Sequence, residues 1–472
     1  MPVTDLDKGI VGWEGQNDPE MPLNFAANRK WMLLGLISAI TFISPLASSM
    51  FAPAVSFMDM DFHNNSNTIS ALTVSIYILG YVIGPLFLSP LSEIYGRRPI
   101  LALGNVFFCV WQIGCALAPN ISTLILFRFF AGVGGSGCLT IGGGVIADLF
   151  PREQRGMATA VYGMGPLLGP VIGPICGGFI GERAGWRWIF WVLLIAATLT
   201  TIGIEILNKE TNPRVLIRQK VKALRASLNR PELVSAYETA GVVPKSTILK
   251  NGLLRPLKML FRSPICFLLA LYMCFVYGLM YLIFTTITGV FQETYGWNPE
   301  ICGLAYMGVG LGFFLGLATV AKLSDATVIR MTKANGGQFE PEMRLPSMVF
   351  FAAFIPITFF WYGWAAYYKV HWIVPILGLA PFGFGMIGVF MPIQTYLIDS
   401  FPEYAASALA ALTASRSLFG AFLPLAAPAM YAKLSLGWGN SVLGFIGVAM
   451  VPIPALMYRY GGVIRKRYPV KL

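Results

Sequence analysis

Two arginines lie where a charge is hard to keep. Arg128 falls in "RFFAGVGGSG" (128–137), inside an apolar run that begins near residue 121, and Arg416 falls in the middle of another, in "SRSLFGAFLPLAAPAMY" (415–431). A charged side chain at the centre of a bilayer costs roughly 2.5–3.5 kcal/mol even on insertion scales, so it faces water, a partner or a ligand and marks a functional site. No Asp or Glu occupies the middle of any apolar run: Asp148, Glu205, Glu293 and Asp399 are all near ends, and His63 and His371 lie in connecting segments. A chamber with two guanidinium groups and no central carboxylate repels organic cations and favours anionic or neutral, oxygen-rich molecules. Arg128 either faces that chamber or ties helices together through their carbonyls. Tyr77, Tyr81, Tyr277, Tyr281, Phe384 and Gln394 are the candidates for the rest of its wall.

Other chemistries find no residues. The seven cysteines contain no CxxC pair, so neither a disulfide framework nor a zinc site is implied. There is no HExxH, no GxSxG and no GxxxxGK[ST], which argues against an intramembrane hydrolase or an ATP-driven pump, and no cofactor or metal is called for. A channel or a nutrient sensor is the remaining rival, and no appended signalling domain supports it.

The elements that must hold these arginines are membrane helices. The chain has 472 residues, 56% hydrophobic and 12% charged, with a mean hydropathy of +0.67. Soluble domains carry about 25% charged residues. Uncharged runs of about 20 residues are read as spanning helices, because lipid offers the backbone no hydrogen bonds. Twelve such spans are expected, at 31–54, 69–90, 99–118, 121–148, 157–181, 187–207, 264–291, 299–322, 345–366, 371–396, 404–430 and 438–459. The expected fold is an all-α integral membrane protein, twelve transmembrane helices in two pseudo-symmetric six-helix bundles.

Charge orients the chain. With the amino end in the cytosol, all but six of the 34 Lys and Arg residues fall on the inner side; the exceptions are Arg183, Arg187, Lys369 and Lys433 in outer loops and the two intramembrane arginines. That bias places both termini in the cytosol of a multi-pass protein, with the basic surface towards anionic lipid rather than nucleic acid. Residues 1–30 form a cytosolic tail without a signal peptide, 31–207 the first bundle, 208–262 a basic linker, 263–460 the second bundle and 461–472 a basic tail. Within the linker, "RQKVKALRASL" reads either as an amphipathic helix on the inner membrane face or as solvated chain. "NNS" at Asn64 is a glycosylation sequon in an outer loop.

The halves repeat. In "GYVIGPLFLSPLSEIYGRR" (80–98) and "GFFLGLATVAKLSDATVIR" (312–330), Gly80, Gly84, Leu91, Ser92 and Arg98 match Gly312, Gly316, Leu323, Ser324 and Arg330, and Glu93 matches Asp325. "ADLFP" (147–151) matches "IDSFP" (398–402), at the same six-span period. Internal repeats of this kind mark secondary transporters whose site lies between the repeats near the midplane. In the first loop Gly96 permits a tight turn and Arg97 and Arg98 sit on the cytosolic side. Glu93 is expected to pair with a basic group or to cap a helix of the opposite half; Asp148 with Arg155, and Asp325 with Arg330 and Asp399, are expected to form similar inner latches.

"GMGPLLGPVIGPICGG" (163–178) puts prolines every four residues in what reads as a helix. In water each would cost about 3 kcal/mol, but in membranes Gly and Pro are tolerated in helices. Gly165, Gly169, Gly173 and Gly177 share one face and permit close helix approach. Pro166, Pro170 and Pro174 form an adjacent stripe that loosens the helix. The expectation is a smooth, bendable rod pressed against a helix of the other half.

These stretches resemble the major facilitator superfamily, more specifically the fungal twelve-span drug:proton antiporters, over nearly the whole chain. "NDPEMPLNFAANRKW" (17–31) is similar to that family's entry segment, "LSPLSEIYGRRPI" (88–100) to its loop between spans 2 and 3, 128–137 to its span-4 arginine motif and 163–178 to its span-5 antiporter motif. "SRSLFGAFLPLAAPAMY" (415–431) and "GWGNSVLGFIGVAMVPIPALMYRYG" (437–461) are similar to its last two spans. Ser89 departs from the glycine usual at the start of the loop. The resemblance implies a monomeric plasma-membrane exporter of small organic molecules that exchanges them for protons. It also implies a loop that locks the outward-facing state and a span-5 face that seals the outer contact between halves.

Overall fold

A computed structural model describes residues 3–151, 154–207, 209–238, 244–401 and 404–468; the side chains of Gly156, Ala160, Ser324 and Asp325 lie outside the described set. Ten helical rods account for spans 1 to 10. They are Ala27–Asp61, Asn67–Tyr95, Arg97–Ala116, Ile121–Leu149, Arg155–Ala184, Trp186–Leu207, Pro264–Tyr295, Pro299–Ala334, Pro341–Tyr367 and Ile373–Ser400. The last helical stretch, Ala405–Arg467, has 63 residues. At 1.5 Å per residue that is about 95 Å, three times the hydrocarbon thickness. It breaks at Ser435, whose φ of 61° and ψ of 173° are not helical. Tyr431 Oη donates across the bend to Asn440 Oδ1 at 3.1 Å. The second limb then runs back along span 9, where Gly437, Gly444 and Gly447 lie against Trp364, Phe360 and Pro356 in turn. The stretch is therefore spans 11 and 12.

Packing repeats with the six-span period. In the first half the dominant pairs are spans 2 and 4, 1 and 5, and 3 with both 4 and 6; in the second they are 8 and 10, 7 and 11, and 9 with both 10 and 12. Two seams join the halves, spans 2 and 11 and spans 5 and 8, which the same shift also interchanges. An even number of crossings puts both termini on one face, called here the terminal face, with the distal face opposite.

Span 5 stays one helix through Pro166, Pro170 and Pro174. Each proline removes the donor for the carbonyl four residues earlier, so Tyr162, Pro166 and Pro170 lose their intrahelical partners in one stripe.

The tail and linker fold on each other. Strand β1 (Ile10–Val11) pairs in parallel with β2 (Val234–Ser235). The linker helix Pro213–Leu228 does turn an apolar face, Ile217 and Val221, but that face is covered by Val11 and Trp13 of the tail and by Leu233 rather than by lipid. Trp13 Nε1 donates to Tyr237 Oη at 3.2 Å, and Lys220 pairs with Glu14 at 3.0 Å. A second linker helix, Lys245–Arg262, packs on spans 2, 7 and 11. The sequon Asn64 is half-buried, its amide donating to Asp59 Oδ1 at 2.7 Å and Ser70 Oγ at 2.9 Å.

Candidate functional site

Tyr77 and Tyr81 stand one turn apart on span 2, and Tyr277 and Tyr281 do the same on span 7, with ring centroids 5.5 and 5.3 Å apart. Ser44 of span 1 collects the first pair: its Oγ is 3.1 Å from Tyr77 Oη and 2.6 Å from Tyr81 Oη, and donates to the Gly135 carbonyl at 2.7 Å. Tyr281 Oη lies 3.0 Å from Ser48 Oγ, a hydrogen bond between the halves. All four tyrosines are buried. Together they form a polar layer across the middle of the protein, each hydroxyl of which needs a partner in this water-poor setting.

The two arginines have different surroundings. Arg128 is 1% exposed, and its Nη2 donates to the carbonyls of Ser48 and Val74, both at 3.3 Å. The rings of Phe51, Tyr77 and Phe190 stand 5.1–5.8 Å from its guanidinium. It thus ties span 4 to spans 1, 2 and 6. Arg416 is half-buried, with its guanidinium 4.7 Å from the ring centres of both Tyr277 and Phe390. Its Nε, like that of Arg128, is buried without an acceptor. Among the described residues it has only these aromatic faces, which stabilise a cation by about 0.5–2 kcal/mol each.

A cavity of about 740 Å³ opens at the distal ends of spans 1, 2, 7, 9 and 11. Its wall carries Ser56, Asn67, Thr286, Gln292 and Tyr431 as neutral polar groups, with Asp59, Glu293 and Lys369 as the charged ones. This differs from the expected wall, because neither arginine and none of Tyr77, Tyr81, Tyr277, Tyr281, Phe384 and Gln394 lines it. Arg128 is one layer behind, holding the carbonyl of the lining residue Val74. Phe384 packs instead in an aromatic cluster, its ring 4.8 and 4.9 Å from those of Phe354 and Phe351, and Gln394 is half-buried on span 10. The buried tyrosine layer lies between this cavity and Arg416, whose guanidinium stands against Tyr277.

On the terminal face the loop motif closes within its own bundle. Gly96 has φ 111°, where a side chain is strained, and a methyl group there would collide with the Glu210 carboxylate. That carboxylate accepts from the backbone N–H of Arg97 and Arg98 at 2.8 and 3.3 Å, capping span 3. Arg97 pairs with Asp148 at 3.3 Å and donates to Ser92 Oγ at 2.8 Å; Arg98 pairs with Glu205 at 3.1 Å. Arg155 is not the partner of Asp148: it donates to the carbonyls of Phe150 and Ala147 and caps span 4. Among the described residues Glu93 has no ion pair and no cap in the opposite half; it is exposed beside Arg214, Arg218 and Arg255. In the second bundle Arg344 pairs with Asp399 at 3.0 Å. The partners lie 55 residues apart, against 51 for Arg97 and Asp148. Arg330, the expected counterpart, is exposed without an ion pair among the described residues, and the Asp325 side chain lies outside them. Sequence reasoning missed Glu210 and Arg344. The position of Arg344 two residues before Pro346, echoing Arg97 two residues before Pro99, was the available signal.

The glycine face of span 5 also differs from expectation. Methyl groups on Gly165 and Gly169 would lie 2.9 and 2.8 Å from the backbone nitrogens of Phe42 and Leu46, one on Gly173 would lie 2.9 Å from Leu46 O, and one on Gly177 would meet Met50 O. The partner is span 1 of the same half. Contact with the other half falls to the neighbouring stripe, where Gly178 meets Pro299 O at 2.6 Å and Pro174 O meets Gly303 at 2.5 Å by the same measure.

Twelve helices in two repeated bundles, with a polar layer between them and a cavity open to one face, define a membrane transporter rather than an enzyme. The description Major Facilitator Superfamily matches residues 37–424, and the chain belongs to that family. It is 46% identical to the MFS transporter cpaT of Aspergillus oryzae, over 98% of this chain and 93% of that one. It is 49% identical to the MFS-type transporter penM of Penicillium rubens, over 97% and 90%. With the efflux pump radE of Floropilus chiversii it shares 44%, over 99% and 87%. Among solved structures it superposes on the partially occluded, inward-open xylose transporter XylE of E. coli with a TM-score of 0.67 at 18% identity, covering 92% of this chain and 98% of that one.

Proposed function

We propose that this transporter exports small organic anions, such as carboxylic acids or acidic secondary products, by alternating access, in exchange for protons, across the plasma membrane with both termini cytosolic. The observation that carries the substrate class is Arg416: a mid-span cation that has no carboxylate or carbonyl partner among the described residues, which leaves its donors to a ligand oxygen. A guanidinium binds carboxylates through paired hydrogen bonds. Arg128, whose Nη2 is held by two carbonyls although its Nε has no acceptor, is structural on this reading. Efflux is supported by the name of one relative and by energetics, since an anion leaving a negative cytosol gains about 2.3 kcal/mol per 100 mV. With the termini inside, the distal cavity is the outward exit, and its neutral hydroxyls release rather than retain an anion.

The second reading, broad efflux of neutral or cationic drugs, is favoured by the two carboxylates in the cavity wall. The deciding experiment compares intracellular and extracellular metabolites of cells carrying wild type, Arg416→Ala or no transporter. The expected result is that acidic metabolites accumulate inside the Arg416→Ala cells as they do without the transporter, while efflux of a cationic dye is unchanged. Loss of dye efflux with unaltered acid export would overturn the proposal.

A further inference from the structure

At the distal end of the seam between spans 5 and 8, three charged groups meet that belong to neither the arginine site nor the terminal-face braces. Span 8 begins at Pro299 after Asn298, whose side chain does not cap it. The missing cap comes from the other half: Glu182 Oε2 accepts the Glu300 N–H at 2.8 Å. The next residue, Arg183, grips the Glu300 carboxylate with both ends of its fork, Nη2 to Oε1 at 2.5 Å and Nε to Oε2 at 3.4 Å. Below these charges the backbones touch through one glycine from each half, Gly178 and Gly303.

We infer that Glu182, Arg183 and Glu300 form a reversible clasp that holds spans 5 and 8 together at the distal face and sets how often this seam opens. Packing at the glycines supplies most of the contact but tolerates sliding. The clasp adds direction, because a carboxylate at a helix start and a two-point guanidinium grip hold in one register only. Every link crosses between the halves, so all must break when the distal ends of spans 5 and 8 part. An exposed ion pair is weak on its own, which suits a contact that must open in each cycle. The clasp is a positioning device, and its existence does not depend on which molecule is carried.

The chain contains its own reporter. Cys302 is fully buried two residues beyond Glu300. In protein lacking the other six cysteines, purified and reconstituted without substrate, its labelling by a water-soluble maleimide reports opening of the seam. Glu300→Arg, which sets like charges face to face, should speed labelling by about fivefold or more, and Glu300→Gln by about twofold to fivefold. Arg183→Glu combined with Glu300→Arg should return the rate to near the starting value, which a loss of packing alone would not allow. Unchanged labelling in both Glu300 variants would overturn the clasp, as would a charge swap that fails to slow it. If Glu300→Arg does not insert, the Glu300→Gln rate decides by itself.

Discussion

Consider Gly177→Ala beside Gly163→Ala, the same change on the same helix. Nothing lies within 4 Å of a methyl group on Gly163, whereas one on Gly177 would overlap the carbonyl oxygen of Met50. That oxygen belongs to the backbone at the distal end of the span 1 crossing, so relief requires the two helices to separate. Overpacking of this kind costs about 1–3 kcal/mol. Both alanines gain the same helix propensity, up to about 1 kcal/mol, so it cancels in the comparison. Gly163→Ala should therefore be neutral or slightly stabilising, and Gly177→Ala less stable than it by about 1–3 kcal/mol. The assay is the loss of monodisperse detergent-solubilised protein against temperature, read by fluorescence of a fused reporter on a sizing column. Equal midpoints, or a higher one for Gly177→Ala, would refute the close contact of spans 1 and 5.

Two further outcomes are expected. Arg97→Ala should cost about 1.5–3 kcal/mol by stranding a half-buried partner, while Arg98→Ala should cost under about 1 kcal/mol, because the Arg97 and Asp148 side chains are only 17% and 13% exposed and those of Arg98 and Glu205 are 40% each; the same thermal assay ranks them, and the opposite order would contradict the brace. Trp13→Ala removes the largest side chain of the small tail–linker core, a loss of about 3 kcal/mol at the low end for a buried Trp, so brief trypsin treatment should cut within 209–238 faster while the membrane core survives; equal cleavage would mean that the tail does not hold the linker.

What the sequence revealed and what it hid follow from the range of each signal. Spans and the six-span repeat are carried by composition over about 20 residues and are written into every window. The prolines of span 5 could be read as helical because the bilayer setting was already evident. Partner choice was not legible in the same way. Glycines every fourth residue announce a close neighbour but not its identity, and the neighbour proved to be span 1 rather than a helix of the other half. Glu210 stands in a polar linker, where no periodicity distinguishes it, yet it caps span 3 over 100 residues away in sequence. Arg344 was displaced from its expected register because span 8 runs on to Ala334 before the chain turns, which moved Arg330 into the aligned place. Arg128 and Arg416 look alike as isolated charges, and only their acceptors separate them.

The terminal-face contacts also bear on the order in which the protein can be built. Arg97 to Asp148, Arg98 to Glu205 and the Glu210 cap are all complete within the first 212 residues. The leading bundle can therefore fasten itself while the ribosome is still short of span 7, in keeping with domain-wise folding during synthesis. Strand β1, by contrast, must wait for residues 234–235 to emerge. The tail then closes over a half that is already set, and the trailing bundle fastens later through Arg344 and Asp399.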